Sequence, residues 1–478
     1  MKTRTVKNLR MVGLAQVFSM GLSQVGLLIL TQLLNPTDIG LYAIILVVYN
    51  LALVVSTLGL DSAAVQSKEN LNEVLRTSMT IRLIGMALSI GVILIIAPLI
   101  ADFYGRPEIT EPLRVFSFNL LIVSLGFAST ITLTRTLRFP ELSISKAVNA
   151  SVWFVVALAA ALAGMSYWSL VVAFMVGSVT AVSVLLYYSP YRVRLGVSKE
   201  TAKSLLGYGK FPVATSIIVF LSFNLDKVIV GKWLGPELLG AYFLAYTWGT
   251  IVPNIFTNIV NTVMFPTYTH IVHDDSLLSR AYLSTLTYLA YVSLPISVGL
   301  AAISSVFVVG VLGPQWHNAT LPLAIFSFVG LCSSLTSPAG NVFLAKARPD
   351  RMWRLTWVGF IPYSILLVPA VIYGGLAGVS LLMLAIAAFM LIWVWLVASS
   401  LASTCFRAIV KNLWVPTLCA SVMGLVVYLV STALTPNLLS LVALLVLGVL
   451  LYVGLVLVLA DSDTKKKMLE MAMLVVRK

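Results

Sequence analysis

The sequence predicts an all-α polytopic membrane protein of about fourteen transmembrane helices, arranged as two six-helix lobes in parallel repeat plus two extra C-terminal helices. Three observations predict it. Apolar residues fill 60% of the 478 positions and charged residues only 10%, with mean hydropathy +1.01. Apolar runs of about 20 residues, the length of one bilayer crossing, recur between polar or Gly/Pro punctuation. Parts of the first half also return in the second, about 200 residues later. A soluble core could not enclose so much apolar surface, and the alternating pattern of a membrane barrel is missing.

In chain order the runs are 11–33, 40–65, 79–102, 113–134, 147–164, 167–189, 211–234, 239–267, 284–312, 320–344, 355–373, 376–400, 411–433 and 438–460. The start, MKTRTVKNLRMVGLAQVFSMG, has the charge order of a signal peptide. Its apolar run, however, continues to Leu34 without a small-residue cleavage site, so it reads as a retained first helix. The short connections LNPTD, AGMSY, LGPEL, YGG and TPN separate further runs, and only 101–112 and 312–320 offer larger outer loops. YRVRLGVSKETAKSLLGYGK, 191–210, is the longest polar stretch inside the chain and reads as a cytoplasmic linker with an interfacial helix. The predicted organisation is a first lobe at 1–190, this linker at 191–210, a second lobe at 211–402, two extra helices at 403–460, and a cytoplasmic tail at 461–478. The tail, DTKKKMLEMAMLVVRK, suits an interfacial amphipathic helix.

Every Lys and Arg except Arg106, Arg114, Lys227 and Lys232 falls in the alternate loops that are cytoplasmic if the N-terminus is inside. That bias predicts cytoplasmic N- and C-termini in the plasma membrane. Topology thereby accounts for the net charge of +14, and no nucleic acid is needed as a partner. Cys332 and Cys419 lie inside runs and Cys405 near the cytoplasmic face, so neither disulfides nor a Cys-based metal site is expected. His270, His273 and His317 lack metal-ligand spacing, and no residue receives a catalytic or metal-binding role.

The repeat shows first in the turns. Leu34, Pro36, Gly40 and Tyr42 match Leu234, Pro236, Gly240 and Tyr242, and later PLRVFSFNLL at 112–121 matches PLAIFSFVGL at 322–331 with the offset grown to about 210. Six helices per lobe return the chain to its starting side, so the repeat is parallel. Such paired lobes around a central cleft are a layout for alternating access.

Ionisable groups at membrane depth are costly, which makes each a functional candidate. The seventh run carries Asp226 and Lys227 about 12 Å below its outer end near Leu234, at about 1.5 Å per residue. Neighbours on a helix diverge by about 100°, so Lys227 shares a face with Asn224 and Gly231 and Asp226 with Ser222. The pair reads either as a structural ion pair or as charge facing the cleft. The eighth run, GAYFLAYTWGTIVPNIFTNIVNTVMFP, spaces Thr247, Thr250, Asn254, Asn258 and Asn261 by three and four, a polar stripe that suits either a cavity wall or helix packing. At the shorter offset Asn261 corresponds to Asp61, Thr250 to Asn50, and Asn224 to Gln24, whereas Gly26 and Leu27 replace the charged pair. The expected substrate cavity therefore includes Lys227, Asp226, Asn224, Gln24, Asn50, Asp61, Thr250, Asn254, Asn258 and Asn261. Arg82, Arg135 and Arg138 lie near cytoplasmic helix ends, either as topological anchors or as a basic vestibule for an anionic headgroup. Arg114 is free to pair with Glu108 or Glu111, and Lys232 to snorkel outward.

The successions LLNPTDIGLYAIILVVYNLALVVSTLGLDSAAVQ and NLDKVIVGKWLGPELLGAYFLAYTW resemble the polysaccharide-biosynthesis branch of the MOP transporter superfamily, which includes the Wzx-type flippases. The resemblance spans the first twelve helices and is most specific in the two Pro-x-x-x-Gly-x-Tyr turns and in Asn-Leu-Asp-Lys. It implies a MOP/MATE-like fold and a flippase for polyprenyl-(di)phosphate-linked oligosaccharide. Such a protein is not an enzyme and needs no cofactor. Na+ or H+ is open as a coupling ion, and other polysaccharide-assembly membrane proteins are candidate partners. Two departures stand out. The carboxylate of Asp61 is unexpected there and suits either a coupling ion or a pair with Arg82. Gln24 and Leu27 stand where MurJ-type cavities carry paired arginines, which weakens a lipid II reading. Two rivals remain: a cation-coupled MATE-like exporter using Asp61 and Asp226, and a membrane glycosyltransferase, against which the small loops and missing acid/base cluster argue.

Overall fold

The computed structural model of the protein describes residues 2–67, 70–191, 194–402 and 404–459, and all regular elements among them are helical. The tail expected at 461–478 lies outside the described residues. In order the helices are α1 (Lys2–Leu30), α2 (Pro36–Ser56), α3 (Leu60–Gln66), α4 (Leu71–Tyr104), α5 (Thr110–Ser117), α6 (Asn119–Leu125), α7 (Phe127–Arg135), α8 (Phe139–Leu162), α9 (Trp168–Tyr188), α10 (Lys199–Trp233), α11 (Gly235–Ile271), α12 (Asp275–Ala302), α13 (Ser304–Phe307), α14 (Thr320–Ala345), α15 (Pro349–Leu401), α16 (Phe406–Ala433) and α17 (Leu438–Leu459).

Ten stretches among the described residues are long and apolar enough to cross a bilayer. The chain is a multi-pass membrane protein; α1, α10 and α11 are not among the ten. One of the ten, Asp350–Leu401, covers two expected runs: α15 is continuous in hydrogen bonding but breaks at Gly375, whose φ of 54° few residues other than glycine adopt. The expected seventh and eighth runs lie within α10 and α11, helices of 35 and 37 residues. The fourth expected run is built from the three short helices α5, α6 and α7. Leu88, Ile95 and Leu99 of α4 are well over half exposed, a surface that suits hydrocarbon and not water.

Packing divides the chain into two compact units, Met1–Gly240 and Ala241–Lys478. In the first, α8 packs on α1 and α9, while α10 packs on α2, α3 and α4. The expected second lobe begins with α10, so the expected boundary and the packing boundary fall at different points. In the second unit α12 packs on α14 and α16, α14 on α15, and α16 on α17.

The duplicated turns meet inside the first unit. Asn35 caps α2: its side chain accepts from the Asp38 N–H, and the Asp38 carboxylate accepts from the Asn35 N–H, with Pro36 opening the helix. A Cβ on Gly40 would stand 1.7 Å from the Pro236 carbonyl oxygen, and one on Gly240 would stand 1.9 Å from that of Pro36. Each repeat's glycine thus receives the other repeat's proline carbonyl. This reciprocity is the mark of a two-fold-like contact.

Candidate functional site

In the first unit, α10 buries both members of its acid–base pair: Asp226 is 0% and Lys227 7% exposed. Although their Cβ directions diverge, the long Lys227 stem folds back toward Asp226, and Nζ stands 3.8 Å from Oδ1. The same ammonium donates to the Phe223 carbonyl at 2.5 Å and to Asn224 Oδ1 at 3.3 Å. The face shared by Lys227 and Asn224 is therefore used. Asn224 in turn donates to the Phe220 carbonyl. Gln24 of α1 is half-buried, and its Oε1 is buried with no hydrogen-bond donor among the described residues. Asn50 of α2 is half-buried as well.

A second charged group centres on α3. Its start is sharp because Leu58 and Gly59 both take left-handed conformations, φ 49° and 67°. Asp61, in the first turn of α3, accepts from Arg82 Nη1 of α4 at 2.9 Å and 3.1 Å. At the other end, Arg135 Nη2 of α7 donates to the carbonyls of Ala64 and Ser67, where a cation complements the helix dipole. Leu60, Ala63 and Ala64 rest on an apolar cluster with Val74, Leu75, Met79, Phe127, Ile131 and Leu205. Arg138 stands apart from this group, donating to Glu141 at 2.8 Å and to the Tyr188 carbonyl. Of the two uses open to Asp61, the pair with Arg82 is formed. Arg114 pairs with Glu111 at 3.0 Å, and Lys232 reaches the Phe103 carbonyl and ring.

The eighth-run stripe belongs, from Thr247 on, to the second unit. Thr247 and Thr250 donate to carbonyls of their own helix, those of Phe243 and Tyr246. Asn261 is held at both ends of its amide: Nδ2 donates to Ser337 at 2.6 Å, and Oδ1 accepts from Asn341 at 2.8 Å. The side chains of Asn254 and Asn258 lie outside the described residues. Helix packing is thus the role in which Asn261 is seen.

Sequence reading passed over the partners of that packing. Thr257 bonds Ser334, which bonds Ser293, so a buried polar ladder joins α11, α14 and α12. Thr257 sits three residues after Asn254 and four before Asn261, on the stripe itself. Ser334, Ser337 and Asn341 repeat by three and four on α14, a pattern visible in LCSSLTSPAGN. The buried Tyr49–Asn119 bond of 2.9 Å was also not legible, because neither residue belongs to a stripe. Among the described residues no group of three His, Cys, Asp or Glu side chains could hold a metal ion.

A family profile described as "Polysaccharide biosynthesis protein" matches residues 29–321. The chain is 25% identical over 429 residues to the lipopolysaccharide biosynthesis protein WzxC of Escherichia coli (strain K12), covering 87% of this chain and 85% of that one. It is 28% identical over 391 residues to the teichuronic acid biosynthesis protein TuaB of Bacillus subtilis (strain 168), covering 80% and 79%. Among solved structures it superimposes on the lipid II flippase MurJ in an inward closed conformation with TM-score 0.74 at 15% identity, over 92% of this chain and 97% of that one. That likeness is one of fold.

Proposed function

Because the chain belongs to the polysaccharide biosynthesis protein family, we propose that it moves polyprenyl-(di)phosphate-linked oligosaccharide from the cytoplasmic to the outer leaflet by alternating access. The family match over 29–321 carries this reading. Physics supplies the need for such a protein: sugar hydroxyls and phosphate would lose their hydrogen bonds in hydrocarbon, at a cost of several kcal/mol per group. A polar passage carries the headgroup while the prenyl chain stays in lipid.

In this reading Lys227, Asp226, Asn224, Gln24, Asn50, Asp61, Thr250, Asn254, Asn258 and Asn261 contribute to the headgroup path, and Arg82, Arg135 and Arg138 to its cytoplasmic entrance. The Lys/Arg bias of the loops supports cytoplasmic N- and C-termini. Na+ or H+ is the coupling ion we propose, and other polysaccharide-assembly membrane proteins are the partners. The exporter alternative requires embedded acids free to bind a cation; Asp226 is buried beside Lys227, and Asp61 is tied to Arg82.

The test is reconstitution. Liposomes holding the full chain and a polyprenyl-diphosphate-linked oligosaccharide should expose the glycan to an external glycosidase faster than protein-free liposomes. Lys227→Ala should slow that exposure while the purified variant unfolds cooperatively. Exposure no faster than in protein-free liposomes, with every candidate ion gradient applied, removes the reading.

A further inference from the structure

The arginine on α4 is bound in an incomplete way. Arg82 is 4% exposed, its guanidinium lies 4.7 Å over the Phe127 ring, and the carboxylate of Asp61 reaches only its Nη1. Its Nε is buried and has no acceptor among the described residues. A guanidinium has a planar fork of five donors that matches carboxylate or phosphate with two parallel bonds, so a carboxylate on a single nitrogen leaves the fork unfilled. The two partners also differ in how firmly they are placed. Arg82 is clamped between Asp61 and an aromatic face, whereas the Asp61 side chain is 55% exposed and stands on a seven-residue helix beyond the left-handed Leu58–Gly59 pair. The anion of this pair is the part that solvent and solutes reach.

We propose that Arg82 is a phosphate-binding residue and that Asp61 occupies it as an internal stand-in, so that an incoming phosphate displaces the carboxylate from one guanidinium. A phosphate offers three oxygens around one centre and can accept from Nε and Nη together, which Asp61 does not do here. Arg135 stays on the Ala64 and Ser67 carbonyls, so α3 remains anchored at its far end while Asp61 lets go. This inference rests on the reading of the chain as a carrier of phosphate-linked glycan. The phosphate can belong to such a carrier lipid or to an anionic bilayer phospholipid.

The test uses the purified full chain and three probes: farnesyl phosphate, farnesol, and phosphatidylglycerol in phosphatidylcholine nanodiscs. Asp61→Asn removes the competitor and keeps its shape. If Asp61 holds Arg82 in nine of ten molecules, apparent affinity for a phosphate should rise about tenfold in that variant. Arg82→Gln added to Asp61→Asn should abolish the rise, and farnesol should show none in either. A rise confined to farnesyl phosphate assigns the site to the prenyl carrier, and one confined to phosphatidylglycerol to the bilayer. Unchanged or weaker binding of both phosphates by Asp61→Asn overturns the proposal. The wild-type chain supplies a second readout that does not depend on the variant folding. Farnesyl phosphate should speed carbodiimide modification of Asp61, read by mass spectrometry; an unchanged rate at saturating probe also overturns it. Flipping that survives either failure leaves the transport reading intact, because that reading needs only that the glycan crosses.

Discussion

Gly40→Ala places one methyl group where the Pro236 carbonyl oxygen already stands, and Gly240→Ala does the same at Pro36. The added carbon would have to retreat from 1.7 Å to at least 3.0 Å at the first site, and from 1.9 Å to the same limit at the second. Backbone cannot rotate out of the way as a side chain does, so α2 and the start of α11 must part. Overpacking of a tight core costs about 1–3 kcal/mol and sometimes more. Alanine returns about 0.5–1 kcal/mol of that through its better helix propensity. Each single variant should therefore lose up to about 2.5 kcal/mol net. Once one methyl has parted the helices the second finds room, and the double variant should lose clearly less than the two singles combined. Gly91 of α4 has no atom within 4 Å of an added Cβ, so Gly91→Ala is the control and should stabilise slightly. The assay is thermal unfolding of the detergent-purified proteins at one heating rate, followed by tryptophan fluorescence. Equal stability of Gly40→Ala and Gly91→Ala, or full additivity of the two crossing variants, refutes the reciprocal contact.

Three further outcomes follow from the same geometry. Asn261→Leu strands Ser337 and Asn341 and should cost about 1–2 kcal/mol, whereas replacing all three with apolar residues should cost less than the single change, as thermal unfolding would show. The Leu277 backbone N–H, then the Ser276 hydroxyl, hold the Asp274 carboxyl below its ordinary value. A depressed carboxylate stabilises above its unfolded-state pKa and loses that effect as pH falls through its folded one. The melting-temperature deficit of Asp274→Ala should accordingly be largest at neutral pH and shrink in acid. Arg135→Gln removes the charge at the C-terminal end of α3, and amides 60–67 should then exchange hydrogen faster than those of α4.

What the sequence makes legible here is whatever depends on residues near one another in the chain. The Asn35–Pro36 start of α2 and the break at Gly375 follow from capping and glycine chemistry within a few residues. The Pro-x-x-x-Gly-x-Tyr turn could be read as a repeat, but not as a contact: that Gly40 and Gly240 face each other's prolines depends on helices about 200 residues apart meeting. The same limit explains the candidate site. Periodicity places Asn261 on a stripe, but a stripe facing another polar stripe looks, from one helix alone, the same as one facing water. The matching period on α14 was the missing half. For Asp61 the chemistry narrowed the choice to an ion or Arg82, and only the fold of α3 onto α4 selects the arginine.

The repeat also bears on why charge gathers where it does. By the shorter offset Asp61 corresponds to Asn261; by the longer one Phe127 and Ile131 correspond to Ser337 and Asn341. In the second unit Asn261 bonds Ser337 and Asn341 directly. In the first, Phe127 and Ile131 belong to the apolar cluster beneath α3, and Arg82 lies over Phe127 to meet Asp61. The positions matched by the sequence offsets thus carry different chemistry: Asn261, Ser337 and Asn341 bond one another in the second unit, whereas Phe127 and Ile131 are apolar in the first and Asp61 meets Arg82. Amides and a hydroxyl hold the second junction, and none of the three side chains carries a charge. An aromatic platform cannot hydrogen-bond Asp61, so the first junction needs a cation, and a buried cation needs an anion at all times. A junction that must always hold an anion, and whose present anion is half exposed, can exchange it for another. Asn261, Ser337 and Asn341 are uncharged and hold no anion to exchange, whereas Arg82 does.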